Sequence, residues 1–334
     1  MNLYNTLKQI CAVPAVSGRE GGICRLLEEK IRPNVDSVRV DTLGNLIALK
    51  KGREGKERIM LCAHMDEVGF LVNFIEDSGL IRVAPLGGID FAAHSYTAVV
   101  SENGVKGVLT PNSDVKAADI KADKTYIDIG AKDKKDAERR VRLGDFFVGE
   151  SVVRRLAGSR IAGRPLDDRV GCLVLLELAE RLKDRELDAD VYFVFSVQEE
   201  VGCRGSKTAT YGIMPTQAIC IDVTRTGDTP GASPMACALG KGAAIKIKDS
   251  SVICHPEIVD TLTAIAKKEK IAYQHEILTA GGTDTSSMQL TAGGAAAGAL
   301  SIPTRNIHTD NEICDMKDVE ACIALAEKYI ILKG

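Results

Sequence analysis

Apolar and polar residues follow two kinds of pattern in the first part of the chain. Apolar residues recur at helical spacing in residues 3–11 and 22–31, which predicts two N-terminal helices. Short apolar runs bounded by turn residues come next, and they predict strands at 38–40, 46–49 and 59–62.

The pattern changes between residues 69 and 158. Apolar runs in this region are short and are split by Gly, Pro, Asn and Asp, as in the stretches GLIRVAPLGG and TAVVSENGVKGVL. Such spacing is typical of a small all-β module. The charged run at 131–142 lies within it, and we expect that run to be a solvated helix or loop rather than a binding patch.

Longer elements alternate in the second half of the chain. The pattern predicts helices at 170–183, 257–270 and 316–332, and strands at 191–197, 218–223 and 295–302. This alternation predicts an α/β fold with a mixed, largely parallel sheet covered by helices on both faces. Residues 1–68 are too few to form a core alone, so we expect one α/β domain made of 1–68 plus 159–334, interrupted by the β module at 69–158.

Composition narrows the class of protein. The chain has 334 residues with a formal net charge of −3, so it lacks the basic character of nucleic-acid-binding proteins. We find no secretion signal at the N-terminus and no apolar stretch long enough to span a membrane. None of the 10 cysteines stands at CxxC spacing, and several lie in apolar runs, which indicates reduced packing residues. We therefore expect a cytoplasmic protein that binds neither nucleic acid nor membrane.

Polar side chains follow the predicted strands at the point where each ends. His64 follows IMLCA, Glu199 and Glu200 come just after YFVFSV, Asp222 follows AICI, and His308 comes shortly after GALSIPT. Because ligands of open α/β sheets bind beyond the carboxyl ends of the strands, we expect these residues to share one site.

Each of these groups has a structural interpretation as well as a chemical one. Asp66, two residues after His64, is placed to orient a ligating imidazole, although His64 taken alone is better explained as a hydrogen-bonded core residue. Asp167 and Asp168 precede an apolar helix, where one aspartate either caps that helix or bridges two cations. Adjacent Glu199 and Glu200 point to different sides, so one could bind a metal while the other serves as general base. Taken together, the carboxylates and imidazoles match a two-metal hydrolytic centre for zinc, cobalt or manganese.

Other chemistries find less support in the sequence. His94, His255 and His275 lack such placement, and we expect them to be structural or surface residues. No glycine-rich stretch matches a phosphate loop, and Ser286 and Ser287 are not in a GxSxG elbow. The cysteines near the proposed site are expected to be packing residues; they are Cys62, Cys172, Cys203 and Cys220.

Several motifs, in order along nearly the whole chain, resemble those of the tetrahedral-type dinuclear metallo-aminopeptidases, which include glutamyl and leucyl aminopeptidases. They are VSGRE, VDTLGNLIA, HMDEVGF at 64–70, IDIGA, RPLDDRVGC, QEEVGCRGS, IDVT, GGTDTSSMQ and IPTRNIH. In two places the chain departs from the family's pattern. No aromatic residue precedes Ile307, and the segment Gly87-Gly88-Ile89-Asp90 runs into FAAHSYT.

The resemblance assigns roles residue by residue. It implies that the metal ligands are His64, Asp167, Glu200, Asp222 and His308, with Asp167 as the bridge between two ions. It also implies that Glu199 is the general base, that Asp66 orients His64, and that Thr283, Asp284 and Arg305 contribute to the substrate pocket. The family's fold is an α/β peptidase domain with an inserted barrel-like dimerisation domain, and members commonly form dodecamers that trim peptides.

The resulting hypothesis is a metal-dependent aminopeptidase. Two divalent ions, zinc or cobalt with manganese as a further candidate, share a water molecule, and Glu199 takes a proton from that water and returns it to the leaving amine. A deacylase or carboxypeptidase with the same centre is an alternative, as is a non-catalytic scaffold of the same fold. A glycosidase is disfavoured because the chain has no tryptophan to stack on a sugar.

Overall fold

The computed structural model describes residues 2–334. The strands are β1 (Ser37–Val40), β2 (Leu46–Lys50), β3 (Arg58–His64), β4 (Gly69–Ile75), β5 (Ile81–Leu86), β6 (Thr97–Ser101), β7 (Lys106–Pro111), β8 (Thr125–Asp128), β9 (Phe146–Gly149), β10 (Arg154–Arg155), β11 (Arg160–Gly163), β12 (Asp190–Ser196), β13 (Gln217–Thr224), β14 (Ala243–Lys248), β15 (Tyr273–Ile277), β16 (Ala296–Arg305) and β17 (Glu312–Asp315). The helices are α1 (Leu3–Cys11), α2 (Gly21–Ile31), α3 (Lys134–Glu138), α4 (Arg169–Leu182), α5 (Arg204–Ile213), α6 (Pro256–Glu269), α7 (Asp284–Gln289) and α8 (Met316–Lys333).

Polar caps set the starts of the helices that frame the sheet. Asn2 caps α1, since its side chain accepts a hydrogen bond from the backbone N–H of Asn5 at 3.1 Å. Asp315 caps α8 in the same way through the backbone N–H of Lys317. Both helices lie where the apolar periodicity predicts them.

One large sheet organises most of the chain. Within residues 2–334 it has eleven strands, nine of them in the order β1-β2-β12-β3-β13-β16-β17-β11-β10, with β14 pairing with β16 and β15. The neighbouring pairs β12–β3, β3–β13 and β13–β16 are parallel, whereas the pairs toward either edge of this order are antiparallel. This arrangement confirms the predicted mixed α/β fold, whose central strands all end at one edge.

Helices cover both faces of the sheet because its central strands are apolar on both sides. In β3, Leu61 and Ala63 belong to the core that includes α4 and α8, while Met60 and Cys62 pack with α5 and α7 on the opposite face. Alternate residues of a strand point to opposite faces, so an uninterrupted apolar run of this kind has to be covered twice.

A second, closed structure lies between β3 and β11 in the chain. Strands β4, β5, β8, β7, β6 and β9 of the described residues form a closed antiparallel barrel, and β9 closes it by pairing with β4, where Phe147 lies opposite Phe70. The barrel has an apolar core of its own. Helix α3 falls within the charged run at 131–142.

The chain rejoins the large sheet at β10, whose Arg154 pairs with Ala162 of β11. The domain boundary expected at residue 158 thus lies beyond the last strand of the barrel, and the division into domains stays a prediction. Within residues 2–334, no helix has the length and hydrophobicity needed to cross a bilayer.

Candidate metal centre

Strand register brings the predicted site residues to one edge of the sheet. His64 ends β3 and lies opposite Ser196, the last residue of the parallel strand β12. Glu199 and Glu200 follow Ser196, and Asp222 lies near the carboxyl end of β13. The parallel strands explain why residues distant in sequence meet here.

Asp167 lies between two imidazoles. Its Oδ1 is 3.0 Å from Nε2 of His64, and its Oδ2 is 3.3 Å from Nε2 of His308. On the first side, Asp222 Oδ1 lies 3.8 Å from the same nitrogen of His64. On the second side, Glu200 Oε2 lies 3.2 Å from Nε2 of His308. The five predicted ligands therefore form two donor groups that share one carboxylate.

The pKa values in this cluster are displaced from their ordinary range. Burial lowers the pKa of His308, but its contacts with the carboxylates of Asp167 and Glu200 outweigh burial and raise it to about 11. The pKa of His64 is raised by the same balance, with Asp167 as the main partner. Burial raises the pKa of Asp222 and of Glu200. Without a cation, the cluster therefore retains protons that compensate its crowded carboxylates.

The residues present suit a divalent cation. His64, Asp167 and Glu200 offer donor atoms within 4.8 Å of one another, and so do His64, Asp168 and Asp222. Among the described residues, Glu200 Oε1 is buried and has no hydrogen-bond partner, which is costly for a carboxylate oxygen unless a cation satisfies it. Imidazole nitrogen and carboxylate oxygen are the donors that zinc, cobalt and manganese accept.

The two aspartates before α4 have different roles. Asp168 caps the helix, since its Oδ1 accepts a hydrogen bond from the backbone N–H of Gly171 at 3.0 Å. Its Oδ2 is buried without a partner among the described residues. Asp167 alone faces both histidines, so of the two aspartates it has the geometry of a bridging ligand.

Asp66 acts through its carboxylate and its main chain at once. Its carboxylate accepts hydrogen bonds from the backbone N–H groups of Glu199 and Glu200 at 3.0 and 3.2 Å, and from Ser17 Oγ at 2.6 Å. His64 Nδ1 lies 3.1 Å from the main-chain oxygen of Asp66 and 3.6 Å from its carboxylate. Asp66 thus orients the imidazole chiefly through its carbonyl, while its carboxylate fixes the turn that carries both glutamates.

Glu199 lies beside the donor groups and contacts a thiol. Burial raises its pKa well above the ordinary value for a glutamate. Its Oε1 accepts a hydrogen bond from Cys203 Sγ at 3.2 Å. Cys203 lines the cavity and is only half-buried, so it is more than the packing residue expected from the sequence.

A cavity of about 330 Å³ opens over the cluster. Thr283 lines it. Asp284 is fully buried, where its carboxylate accepts hydrogen bonds from Ser196 and Ser206 at 2.5 and 2.6 Å. Arg305 pairs with Asp228 through two hydrogen bonds of 3.0 and 2.7 Å in a neighbouring depression. Of the three predicted pocket residues, Thr283 is the one placed in the cavity wall.

Sequence reasoning missed Glu312, which supports both donor groups. Its Oε2 accepts hydrogen bonds from the backbone N–H groups of Leu166 and Asp167 at 2.5 and 3.1 Å, and its Oε1 accepts one from that of His308 at 2.8 Å. Burial raises the pKa of Glu312 to about 8. In the sequence, Glu312 is a lone carboxylate four residues after His308, and this spacing matches no general motif that would have indicated its role.

Comparison with known proteins agrees with this arrangement. The family model of the M42 glutamyl aminopeptidases matches residues 44–325. The chain belongs to this family. The predicted resemblance to tetrahedral-type aminopeptidases is thereby confirmed.

Relatives of the family match over almost the whole chain. A putative aminopeptidase of Acetivibrio thermocellus is 44% identical over 332 residues, 98% of each chain. The structure of an aminopeptidase from the archaeon Desulfurococcus kamchatkensis superposes with a TM-score of 0.95 at 37% identity, covering 99% of this chain and 94% of that one. The TET1 peptidase of Pyrococcus horikoshii, whose subunits can assemble into a tetrahedron or a large octahedral shell, superposes with a TM-score of 0.87 at 34% identity and covers 99% of both chains.

Proposed function

We propose that the chain is a dinuclear metal-dependent aminopeptidase that removes N-terminal residues from peptides. The observation that carries the proposal is the position of Asp167, whose two carboxylate oxygens face different histidines. His64, Asp222 and Asp167 would hold one divalent cation. Asp167, Glu200 and His308 would hold the other, and zinc or cobalt fits this donor set, as does manganese.

When bound, the cations would supply Lewis-acid chemistry that polarises the scissile carbonyl and lowers the pKa of bound water. Glu199 supplies the proton transfer, accepting a proton from the attacking water and returning it to the leaving amine. Burial raises the pKa of Glu199 above the ordinary value for a glutamate, and a carboxylate with a raised pKa is a stronger base. The hydrogen bonds from Glu199 and Glu200 to Asp66 hold the turn that carries the base.

Replacement of the base separates chemistry from metal binding. We expect Glu199→Gln to retain the wild-type metal content while kcat on an aminoacyl p-nitroanilide falls by roughly 10²- to 10⁴-fold. The matched control is Glu29→Gln, on the exposed face of α2, which should leave kcat unchanged. An unchanged rate in Glu199→Gln would refute the assignment.

A panel of substrates that differ at their amino and carboxyl ends distinguishes an aminopeptidase from a deacylase or a carboxypeptidase. A peptidase specific for the N-terminus should cleave substrates with a free amino group and reject N-acetylated ones. A deacylase would instead act on N-acetylated substrates, and a carboxypeptidase would require a free C-terminal carboxylate next to the cleaved bond. A screen of aminoacyl p-nitroanilides with and without added cobalt would also define the preferred first residue. Absence of both metal and activity would favour a non-catalytic scaffold.

We further infer that the chain self-associates in the cytoplasm, with the barrel as the assembly module. The Pyrococcus horikoshii relative, which can assemble into a tetrahedron or a large octahedral shell, supports self-association, and a similar solved structure described as a dodecamer supports an assembly of twelve chains. The exposed apolar side chains Phe74, Tyr96 and Val108 on the barrel strands and their flanks are compatible with such contacts. All ten cysteines are free thiols, as expected in a reducing compartment. Light scattering of the purified protein should give the mass of twelve chains, and a monomer would contradict the inference.

A further inference from the structure

Two residues of the barrel segment between β5 and β6, Gly88 and His94, contact the predicted metal ligand His308. The main-chain oxygen of Gly88, just after β5, lies 2.8 Å from Nδ1 of His308 and accepts its hydrogen. The proton of a neutral imidazole is thereby held at Nδ1. Nε2 is left with its lone pair toward Asp167 and Glu200, as a metal-binding nitrogen requires.

His94 is the second contact, and it is fully buried. Its Nε2–H donates a hydrogen bond to the main-chain oxygen of His308 at 2.9 Å. Its Nδ1 lies 3.0 Å from Oδ2 of Asp310. The ring also stacks edge-on against Phe70 of the barrel core, with centroids 5.5 Å apart. The imidazole is therefore anchored in the barrel while both of its nitrogens hold the loop that carries His308.

Asp310 is fixed on its other side by a buried arginine. Arg164 Nη1 donates to Asp310 Oδ1 at 2.8 Å, and its Nη2 donates to Glu67 Oε2 at 3.1 Å and to the main-chain oxygen of Val68 at 2.8 Å. Arg164 is only 2% exposed. A continuous chain of contacts thus runs from the segment after His64 to the barrel.

The backbone at His308 needs such support. Its φ is +63°, and that of Asn306 is +57°, both in the left-handed region that non-glycine residues rarely occupy. Such conformations are energetically unfavourable and persist only where surrounding contacts determine them. His94 and Glu312 hold the two sides of this residue, at its carbonyl and at its N–H respectively.

We propose that the barrel contributes to the metal centre, because His94, in the segment between β5 and β6, positions the metal ligand His308. The inference rests on the proposed function and extends it to the role of the barrel. It predicts that the ion held by Asp167, Glu200 and His308 depends on His94. The ion held by His64 and Asp222, which are carried by strands of the large sheet, does not.

The test is a stepwise cobalt titration of the metal-stripped, assembled protein, followed by visible absorbance and by metal analysis. In His94→Leu, which removes the donor, we expect the first equivalent to bind as in wild type and the second to bind about 10- to 100-fold more weakly. His94→Gln keeps an N–H donor for the carbonyl of His308, so its second equivalent should lie between those of wild type and His94→Leu. His275→Gln, which loses a contact to Thr263 away from the cavity, is the matched control.

Kinetics and light scattering complete the test. Activity of His94→Leu should fall at limiting cobalt and recover with excess cobalt, while its oligomeric mass stays that of wild type. Should His94→Leu not fold, His94→Asn keeps a polar side chain but is one carbon too short to reach His308, and the same weakening is expected.

The outcomes are distinct. Wild-type binding of both equivalents in the variants would overturn the positioning role and leave the proposed function intact. Equal weakening of both equivalents would also overturn it, since that result describes general destabilisation. A wild-type protein that binds no cobalt would overturn the proposed function together with this inference.

Discussion

The two histidines of the candidate centre are held in contrasting ways. His64 ends a central strand, is 2% exposed, and is oriented by the carbonyl of a residue only two positions away. His308 lies on a loop with a left-handed backbone, its side chain is 30% exposed, and its contacts come from Gly88, His94 and Glu312. One half of the centre is thus built by the sheet, and the other half depends on distant segments that meet there.

Asp167 joins the two halves, and its removal should have the largest effect. Asp167→Ala deprives both ions of a ligand, so we expect weakened binding of both equivalents and a fall in kcat of about 10³-fold, which corresponds to several kcal/mol of lost electrostatic stabilisation. Metal analysis and steady-state kinetics measure it, with exposed Asp184→Ala as control. Loss of only one ion would show that Asp167 does not bridge.

Replacing Glu312 tests whether one residue stabilises both halves of the metal centre. Glu312→Ala leaves the N–H groups of Leu166, Asp167 and His308 without their acceptor, so we expect affinity for both ions to fall about 10- to 100-fold. Glu320→Ala, on the exposed side of α8, is the control. By contrast, His94→Leu is expected to weaken binding of the second ion only. If Glu312→Ala weakened binding of the second ion alone, Glu312 would support only the loop that carries His308 and not both halves of the metal centre.

The pH dependence of stability reports on both halves of the metal centre together. Burial raises the pKa of Glu199, Glu200 and Asp222, so the folded metal-free protein binds protons that the unfolded chain has released, and stability falls as pH rises above about 4. The raised pKa values of His64 and His308 act in the same direction, since their contribution is complete below about pH 6.5 and is lost as pH rises through the folded values.

Divalent cations replace these protons, so the stabilisation they provide should grow with pH. We expect the difference in unfolding temperature between metal-loaded and metal-stripped protein to be larger at about pH 8 than at about pH 6. Thermal unfolding followed by circular dichroism measures the difference. A gap that stays constant over this range would mean that protons and metal do not compete at the cluster.

Arg305 should give the smallest effect. Its guanidinium pairs with Asp228 at a partly exposed position outside the cavity wall, and such pairs contribute about 0–1 kcal/mol. We expect Arg305→Gln to change KM for aminoacyl p-nitroanilides by less than about threefold, which is within that energy. A tenfold rise in KM would restore Arg305 to the substrate pocket expected from the family resemblance.

The contrast between the histidines also explains what the sequence could predict. His64, Glu199 and Asp222 follow long apolar runs, and strand periodicity together with the rule for parallel sheets brings them to one edge before any coordinates are known. The mixed sheet and the sequence region of the barrel follow from the same patterns.

The supports of His308 were beyond such reasoning. His94, Asp310 and Glu312 lie in loops or at the start of a short strand, and their contacts join segments more than 200 residues apart in the case of His94. No periodicity encodes a contact of that kind. The unusual stretch FAAHSYT after Asp90 was a visible signal, but its meaning depends on the position of His308 in the fold.

The central claim is that two metal ions share Asp167. Anomalous X-ray diffraction from crystals of the cobalt- or zinc-loaded protein, recorded on both sides of the metal absorption edge, locates such ions directly. The account predicts two peaks, one between Asp167, His64 and Asp222 and one between Asp167, Glu200 and His308. A single peak, or two peaks that do not share Asp167, would contradict it.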